Sequence, residues 1–306
     1  MRFRRCAIIC LVNSSECQAD GSGLYATAIG SFAKAKGIGS TALGTGAAAL
    51  GRGATAIGLH SGARVAGKIT AIDGATTIGV HAGSSGAGVF SIAIGAGSVG
   101  SVDFPGYQSP SARGDYGIAI GSSNDDNNRG ARANGFRSIA VGQRSVSADF
   151  GTSVGFNTNT VFASTAIGTD AQATGDSSTA VGRFANAVAN SSLALGQGAV
   201  ASKPRSVALG SSSLASVADT VSVGTNTARR RIVNVQNGVA NSDAATLGQV
   251  KVIATAAAQA EIASTAVSTT IIDDLRRELS DLRALVKLQQ QELAELKGRK
   301  SAALAE

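Results

Sequence analysis

The sequence predicts an all-β repeat solenoid of the β-roll type, followed by a short connector and a long helix of the coiled-coil type. Two observations predict the solenoid. One short glycine-terminated motif recurs thirteen times along the chain, and residues large enough to fill an ordinary globular core are scarce. A third observation predicts the helix, because beyond residue 244 glycine and proline nearly disappear while apolar residues return every seven positions.

The composition excludes several other classes of protein. Glycine accounts for 39 of the 306 residues, but it does not fall on every third position, which excludes collagen. Small β-branched residues recur at fixed places, which argues against disorder. The formal net charge is +7, but basic residues are scattered singly except near the N terminus and at Arg229–Arg231. Since a nucleic-acid interface clusters basic residues on one face and interleaves aromatic ones, the sequence predicts no nucleic-acid partner.

Residues 1–19 resemble a short export signal. Met1–Arg5 is basic, Cys6–Val12 is apolar, and small and polar residues lead from there to Ala19. The alternative is an unstructured tail or a mis-assigned start. All the cysteines of the chain lie in this segment: Cys6, Cys10 and Cys17. Elsewhere there is no run of 18 apolar residues, so no membrane-spanning helix is expected.

An internal repeat organises residues 20–228. Its unit is a small residue, an aliphatic residue and glycine, usually after serine or threonine, and its ground period is 14 residues. The motif ends at Gly30, Gly44, Gly58, Gly79, Gly95, Gly121, Gly142, Gly155, Gly168, Gly182, Gly196, Gly210 and Gly224. Each period contains two alternating segments, such as Gly198–Ala201 and Ser206–Leu209, which we interpret as two strands of about four or five residues. The glycine after each aliphatic residue supplies a tight turn.

Alternation within these strands determines which side chains share a face. Val207 and Leu209 point to one side of the strand, and Ala208 points to the other. We expect the larger side chains to fill the interior of the roll. The alanine face would then allow close approach by a neighbouring chain, which is needed because so thin a solenoid buries little surface by itself.

Three longer spacings mark insertions at turns, at residues 59–78, 96–120 and 122–141. Insertions in repeat proteins form loops on one face, which is often the binding face. The insertions therefore supply candidate contact residues, namely Phe104, Tyr107, Asn124, Asp125 and Asp126. Tolerated surface loops are the alternative interpretation, and weak Ca²⁺ binding by the acidic and amidic run at 124–128 is a further one.

The pattern changes after Gly224. Residues 229–250 form a connector in which Ser242 or Asp243 is expected to cap a helix beginning near Ala244. In residues 251–306 a heptad frame places Ile272, Leu279, Val286 and Leu293 at a positions, and Leu275, Leu282, Gln289 and Leu296 at d positions. This frame predicts a left-handed coiled coil, and its mixture of residues favours three strands over two. A single helix packed on its own domain is the alternative.

Two groups of residues resemble one known family. Ser91–Gly95, Ser138–Gly142 and Ser206–Gly210, each followed by a further serine, are similar to the "NSVAIG-S" head repeat of trimeric autotransporter adhesins of the YadA type. Arg231–Val235 and Asp243–Val250 resemble the neck of the same family. The resemblance covers most of the chain.

The resemblance implies a left-handed parallel β-roll head, homotrimeric, followed by a neck and an α-helical trimeric coiled coil. It also implies a virulence-type adhesin, attached at the cell surface or outer membrane or secreted, that binds host matrix proteins such as collagen. Ligand contact is then expected at Ser91, Ile92, Ala93, Ile94, Gly95, Ser98, Ser138, Ile139, Ala140, Val141, Gly142, Ser145, Ser206, Val207, Ala208, Leu209, Gly210 and Ser213. Trimer contact is expected at the heptad positions and at Arg231, Asn234, Val235, Asp243 and Leu247.

Two other functions compete with the adhesin. Family members end in a membrane anchor, and the charged, alanine-rich residues after Leu296 do not resemble one. A structural fibre of the phage type that recognises a bacterial surface glycan is therefore the alternative. An ice- or mineral-binding solenoid would need a regular threonine array, and the threonines here are not regularly placed.

No enzyme, cofactor or metal site is expected. Gly151–Gly155 matches the G-x-S-x-G pattern of hydrolases, but that class places its histidine after the serine, and both histidines precede Ser153. His60 and His81 lack companions at the spacing of metal ligands. The glycine pairs that resemble phosphate loops are followed by neither a helix nor an acidic partner, so they are interpreted as turn residues.

Overall fold

The computed structural model describes residues 7–9, 18–62, 73–83, 87–97, 109–123 and 129–303, with the backbone alone described for 7–9 and 299–303. The chain divides into two compact units after Arg230. The first unit consists of short parallel strands, and the second contains one long helix. No helix in the described ranges has an apolar stretch long enough to cross a membrane.

The first unit is a parallel solenoid in which each regular coil contributes one strand to each of two sheets. The first sheet contains β1 (Ala7–Ile9), β2 (Thr27–Ile29), β4 (Thr41–Leu43), β6 (Thr55–Ile57), β7 (Thr76–Ile78), β8 (Ile92–Ile94), β10 (Ile118–Ile120), β12 (Ile139–Val141), β14 (Thr152–Val154), β16 (Thr165–Ile167), β18 (Thr179–Val181), β20 (Leu193–Leu195), β22 (Val207–Leu209) and β24 (Val221–Ser222). The second sheet contains β9 (Ser111–Ala112), β11 (Arg132–Ala133), β13 (Val146–Ser147), β15 (Asn159–Thr160), β17 (Gln172–Ala173), β19 (Asn186–Ala187), β21 (Val200–Ala201) and β23 (Leu214–Ala215). On the same side of the earlier coils, β3 (Lys34–Ala35) pairs with β5 (Ala48–Ala49).

The predicted β-roll is therefore confirmed, but its strands have only two or three residues instead of four or five. The segments at their ends belong to turns, because a 14-residue coil must reverse direction twice. β1 lies within the segment interpreted as an export signal, and it pairs in parallel with Thr27–Ile29. The role of residues 1–19 as a signal stays a prediction.

The turns explain why glycine ends each repeat motif. Gly182 has φ +131°, and a Cβ atom there would lie 2.6 Å from the backbone of Gly196 in the next coil. Both the left-handed backbone and the close stacking of coils therefore require glycine at this position. The motif glycines before it stack in the same way, each against the motif glycine of the following coil.

The interior of the roll corrects the predicted facing of the strands. Ala208 is fully buried, while Val207 is half-buried and Leu209 is exposed. Among the described residues every buried aliphatic side chain is alanine, and the largest side chains buried with them are Thr158 and Pro110. Two short strands joined by two tight turns leave room between the sheets for small side chains, mainly those of alanine, serine and a few threonines. The larger aliphatic side chains consequently point outward.

The second unit contains α1 (Leu247–Ala303). Its start differs from the prediction: Thr246 is the N-cap, since its Oγ1 accepts the backbone N–H of Gln249 at 3.3 Å, while Gln249 Oε1 accepts the N–H of Thr246 at 3.1 Å. This reciprocal pair is a capping box. Asp243 instead closes the preceding turn by accepting the N–H groups of Val239 and Ala240, both at 2.9 Å.

Candidate binding and assembly surfaces

The outer face of the first sheet carries an uninterrupted aliphatic row. The third residue of each strand occupies it in twelve successive coils: Ile29, Leu43, Ile57, Ile78, Ile94, Ile120, Val141, Val154, Ile167, Val181, Leu195 and Leu209. All twelve are half-buried or exposed in the single chain, and Leu209 is 43% exposed. At a strand spacing of about 4.8 Å the row is roughly 50 Å long. An apolar surface of this length, exposed in the single chain, marks an interaction site.

The predicted ligand-contact residues lie on two different sides of the strands. Six of them point outward and are half-buried or exposed: Ile92, Ile94, Ile139, Val141, Val207 and Leu209. The serines and alanines among them are buried: Ser91, Ala93, Ser138, Ala140, Ser145, Ser206, Ala208 and Ser213. Gly95, Gly142 and Gly210 are half-buried turn residues. Only the outward residues present side-chain surface to a ligand, so the serine and alanine part of the prediction needs correcting.

The buried serines satisfy the carbonyl groups of the turns. Ser138 Oγ donates to the carbonyl of Gly135 and Ser206 Oγ to that of Lys203, each at 2.7 Å. A carbonyl buried without a partner would be costly, so these hydroxyls stabilise the coil. Ser153, the residue of the hydrolase-like motif, is likewise buried and donates to Thr158 Oγ1 at 2.7 Å.

A row of neighbouring aromatic rings, called here the aromatic ladder, lies along one edge of the roll. This edge is formed by the turns that lead into the strands of the first sheet. The ladder consists of Phe90, Tyr116, Phe136, Phe150 and Phe162, whose neighbouring ring centroids lie 5.5–5.8 Å apart. All five rings are exposed, between 37% and 56%. The Arg137 guanidinium lies over the Phe136 ring, 5.0 Å from its centroid. The sequence does not reveal this ladder, because unequal insertions hide the alignment of the rings.

The opposite turn edge carries the two histidines. The rings of His60 and His81 stack with centroids 5.3 Å apart. In the ranges that the structure describes, no three His, Cys, Asp or Glu side chains converge as metal ligands would.

Arg230 fastens the end of the first unit. Its guanidinium donates to Ser211 O at 2.6 Å, to Val223 O at 2.7 Å and to Ser213 Oγ at 3.0 Å. The residue predicted to contact the trimer is instead the neighbouring Arg231, and the side chains of Arg230 and Arg231 are both exposed. Only the structure identifies Arg230, because its guanidinium lies within hydrogen-bonding distance of two carbonyl oxygens and a hydroxyl of the last coil.

The predicted neck residues lie in the second unit. Asn234, Val235 and Leu247 are exposed in the single chain. The N–H groups of Ala240 and Val239 lower the pKa of Asp243, because they stabilise its ionised carboxylate. Gln249, which sequence analysis did not select, bonds both backbone groups of Gly238, accepting its N–H at 2.9 Å and donating to its carbonyl at 2.8 Å.

The helix exposes its whole heptad seam. The a and d side chains are Ile272, Leu275, Leu279, Leu282, Val286, Gln289, Leu293 and Leu296, and every one is exposed. A long helix without a buried face needs partners that the single chain does not supply.

Several predicted contact residues lie outside the described residues. They are Ser98, Phe104, Tyr107, Asn124, Asp125 and Asp126. Their assignment to a ligand surface stays a prediction.

One family model matches parts of the first unit. The model of the YadA head domain repeat matches residues 22–47, 35–61, 163–185, 187–213 and 201–227. Among solved structures, the chain is similar to the collagen-binding domain of the Yersinia adhesin YadA, with 20% identity, 77% of this chain and 86% of that chain covered, and a TM-score of 0.24. No curated protein matches the chain.

The first unit thus defines a class of protein, the parallel β-solenoids whose coils pack small residues inside and aliphatic residues outside. Within that class the matched repeats are specific: residues 22–61, 163–185 and 187–227 are similar to the YadA head domain repeat.

Proposed function

We propose that the chain is a homotrimeric adhesin that attaches a bacterium to host extracellular matrix and acts by binding, without catalysis. It is displayed at the cell surface, held at the outer membrane or secreted. The observation that carries the proposal is the aliphatic row on a head built from YadA-type repeats. One chain leaves this row in water along twelve coils, and a second and third copy would cover it.

The helix supports the same assembly. Its a and d residues are exposed along the described part of the seam, and the mixture of Ile, Leu and Val at a with Gln289 at d favours three strands. A trimer therefore buries the apolar surfaces of both units. Three identical heads also multiply weak ligand contacts by avidity.

The remaining surface suits contact with a ligand. Four outward residues of the second sheet are polar or basic, namely Arg132, Asn159, Gln172 and Asn186, and the other three are Val146, Val200 and Leu214. Interfaces between separate partners are more polar than those of permanent oligomers. Collagen is the first ligand to test, because the resemblance of the repeats to YadA-type heads implies it.

The proposal is tested by two measurements on the full chain. Light scattering gives its mass, and binding to immobilised collagens, fibronectin, laminin and bacterial polysaccharides gives its ligand. We expect a trimer that binds a matrix protein saturably. The Leu195→Asp, Leu209→Asp variant should lower the melting temperature of the trimer and retain the circular dichroism of the roll at low temperature, since both side chains point outward.

The matched control is Asn186→Asp on the outer face of the second sheet, which should leave the melting temperature of the trimer unchanged. A monomeric wild-type chain would overturn the assembly. Binding to polysaccharide alone would contradict the proposed matrix ligand and would favour the alternative function, a fibre that recognises a glycan.

A further inference from the structure

One turn on the aromatic ladder carries a charge pattern that no other described turn of that edge carries. Arg113, Gly114 and Asp115 follow β9 directly, and Tyr116 of the ladder comes next. Arg113 and Asp115 are exposed, while Gly114 between them is buried. A cation and a carboxylate are thus presented on either side of a residue without a side chain.

The fold explains two of these three residues. A Cβ atom on Gly114 would lie 1.7 Å from the carbonyl oxygen of Gly135, so the stacking of coils requires glycine. Asp115 Oδ1 accepts the N–H of Val89 in the preceding coil at 2.8 Å. Asp149 has the same role two coils later, accepting the N–H of Phe136 at 2.8 Å.

Arg113 differs from the residues at the corresponding position of most other coils. Asn134, Thr174 and Val188 occupy that position elsewhere, and Lys36 is a cation there but is followed by glycine and isoleucine, without a carboxylate. The arginine is therefore the residue that distinguishes this turn.

Arg132 of the next coil lies near Arg113, because it pairs with Ser111 in the parallel register, two residues before Arg113. Burial lowers the pKa of Arg132, and the charges of Arg129 and Arg113 lower it further. The exposed ring of Tyr116, stacked on Phe90 at 5.7 Å, lies beside Asp115. Arginine and tyrosine are the residues that most often dominate binding energy at protein interfaces.

We propose that Arg113–Gly114–Asp115, with Tyr116 beside it, binds a host cell-surface receptor that holds a divalent cation next to an acidic pocket, as integrins that recognise Arg-Gly-Asp peptides do. The Asp115 carboxylate coordinates the receptor's cation, since carboxylate oxygens are preferred ligands of Mg²⁺ and Mn²⁺. The Arg113 guanidinium pairs with the receptor's carboxylate. This inference rests on the proposed function and names a cellular partner for the adhesin.

The test uses the full chain and the purified ectodomain of an integrin that binds Arg-Gly-Asp peptides, in Mg²⁺ or in EDTA. We expect saturable binding in Mg²⁺ that EDTA abolishes. Asp115→Glu should weaken binding by about tenfold or more, because the longer side chain displaces the carboxylate from the cation. Asp149→Glu is the matched control, since Asp149 makes the same backbone hydrogen bond at an equivalent turn without a preceding arginine.

A second measurement needs no variant: an Arg-Gly-Asp peptide should compete with wild-type protein, and an Arg-Gly-Glu peptide should not. The inference is overturned if wild-type protein fails to bind the integrin, if EDTA has no effect, or if the two glutamate variants bind equally. Binding to the integrin without binding to a matrix protein would overturn only the proposed matrix ligand. Binding to a matrix protein without binding to the integrin would overturn only this inference.

Discussion

The two units of this chain differ in whether a single chain can bury side chains inside them. The interior of the roll is complete within one chain: its alanines are buried and its turn carbonyls are bonded by serines such as Ser138 and Ser206. The helix α1 is complete only in its backbone, because none of its described side chains is buried. The difference shows that a solenoid stacks against its own next coil, whereas an isolated helix has no neighbour of its own.

The largest expected effect is on the helix seam. Leu282→Ser removes an apolar residue at a d position of the heptad. We expect the free energy of unfolding of the coiled coil to fall by about 4 kcal/mol per chain, so that its helical circular dichroism is lost at a lower temperature. The circular dichroism of the roll should persist. Leu285→Ser is the control, since Leu285 is 58% exposed and Leu282 59%, but Leu285 lies outside the frame. Equal losses in the two variants would contradict the heptad frame.

The second prediction tests the interior of the roll. Ala180→Leu inserts three carbon atoms where Ala180 is fully buried, and should destabilise the roll by about 3 kcal/mol in thermal unfolding. Val181 is the next residue and points outward, so Val181→Leu should lower the stability of the roll by less than half as much. If Val181→Leu proved the more damaging change, the facing of the strands would be the reverse of the one observed.

A smaller effect is expected at the end of the roll. Arg230→Gln removes the guanidinium that bonds Ser211 O, Val223 O and Ser213 Oγ, and should destabilise the last coil by about 2 kcal/mol. Hydrogen exchange at Leu214 and Val221 should quicken, while exchange in the central coils stays unchanged. Arg231→Gln provides the comparison, and protection that is equal in the two variants would count against this role of Arg230.

The smallest effect concerns Asp243 and pH. Its pKa is lowered from the ordinary value of 3.8 by the N–H groups that it accepts, so its contribution is present above that value and is lost as pH falls through the lowered pKa. Exchange at Val239 and Ala240 should therefore quicken in acid. Asp243→Asn should remove this pH dependence; acid-induced exchange that persists in the variant would assign it to another group.

The sequence alone determined the architecture. A motif that returns every 14 residues and ends in glycine requires stacked coils, since only glycine tolerates both the left-handed backbone and the contact seen at Gly182. The seven-residue spacing from Ile272 to Leu293 likewise determined the long helix. Both are local periodicities of the sequence, so they can be recognised without knowledge of contacts between distant residues.

Only the tertiary structure decided which face of each strand lies inside. Alternation separates Ala208 from Val207 and Leu209 but gives no sign of direction, and the usual preference for large residues in a core pointed the wrong way. The narrow gap between the two sheets settles it in favour of alanine and serine. The aromatic ladder has the same origin: its rings are 12 to 26 residues apart in sequence, and only the stacking of unequal coils aligns them on one edge.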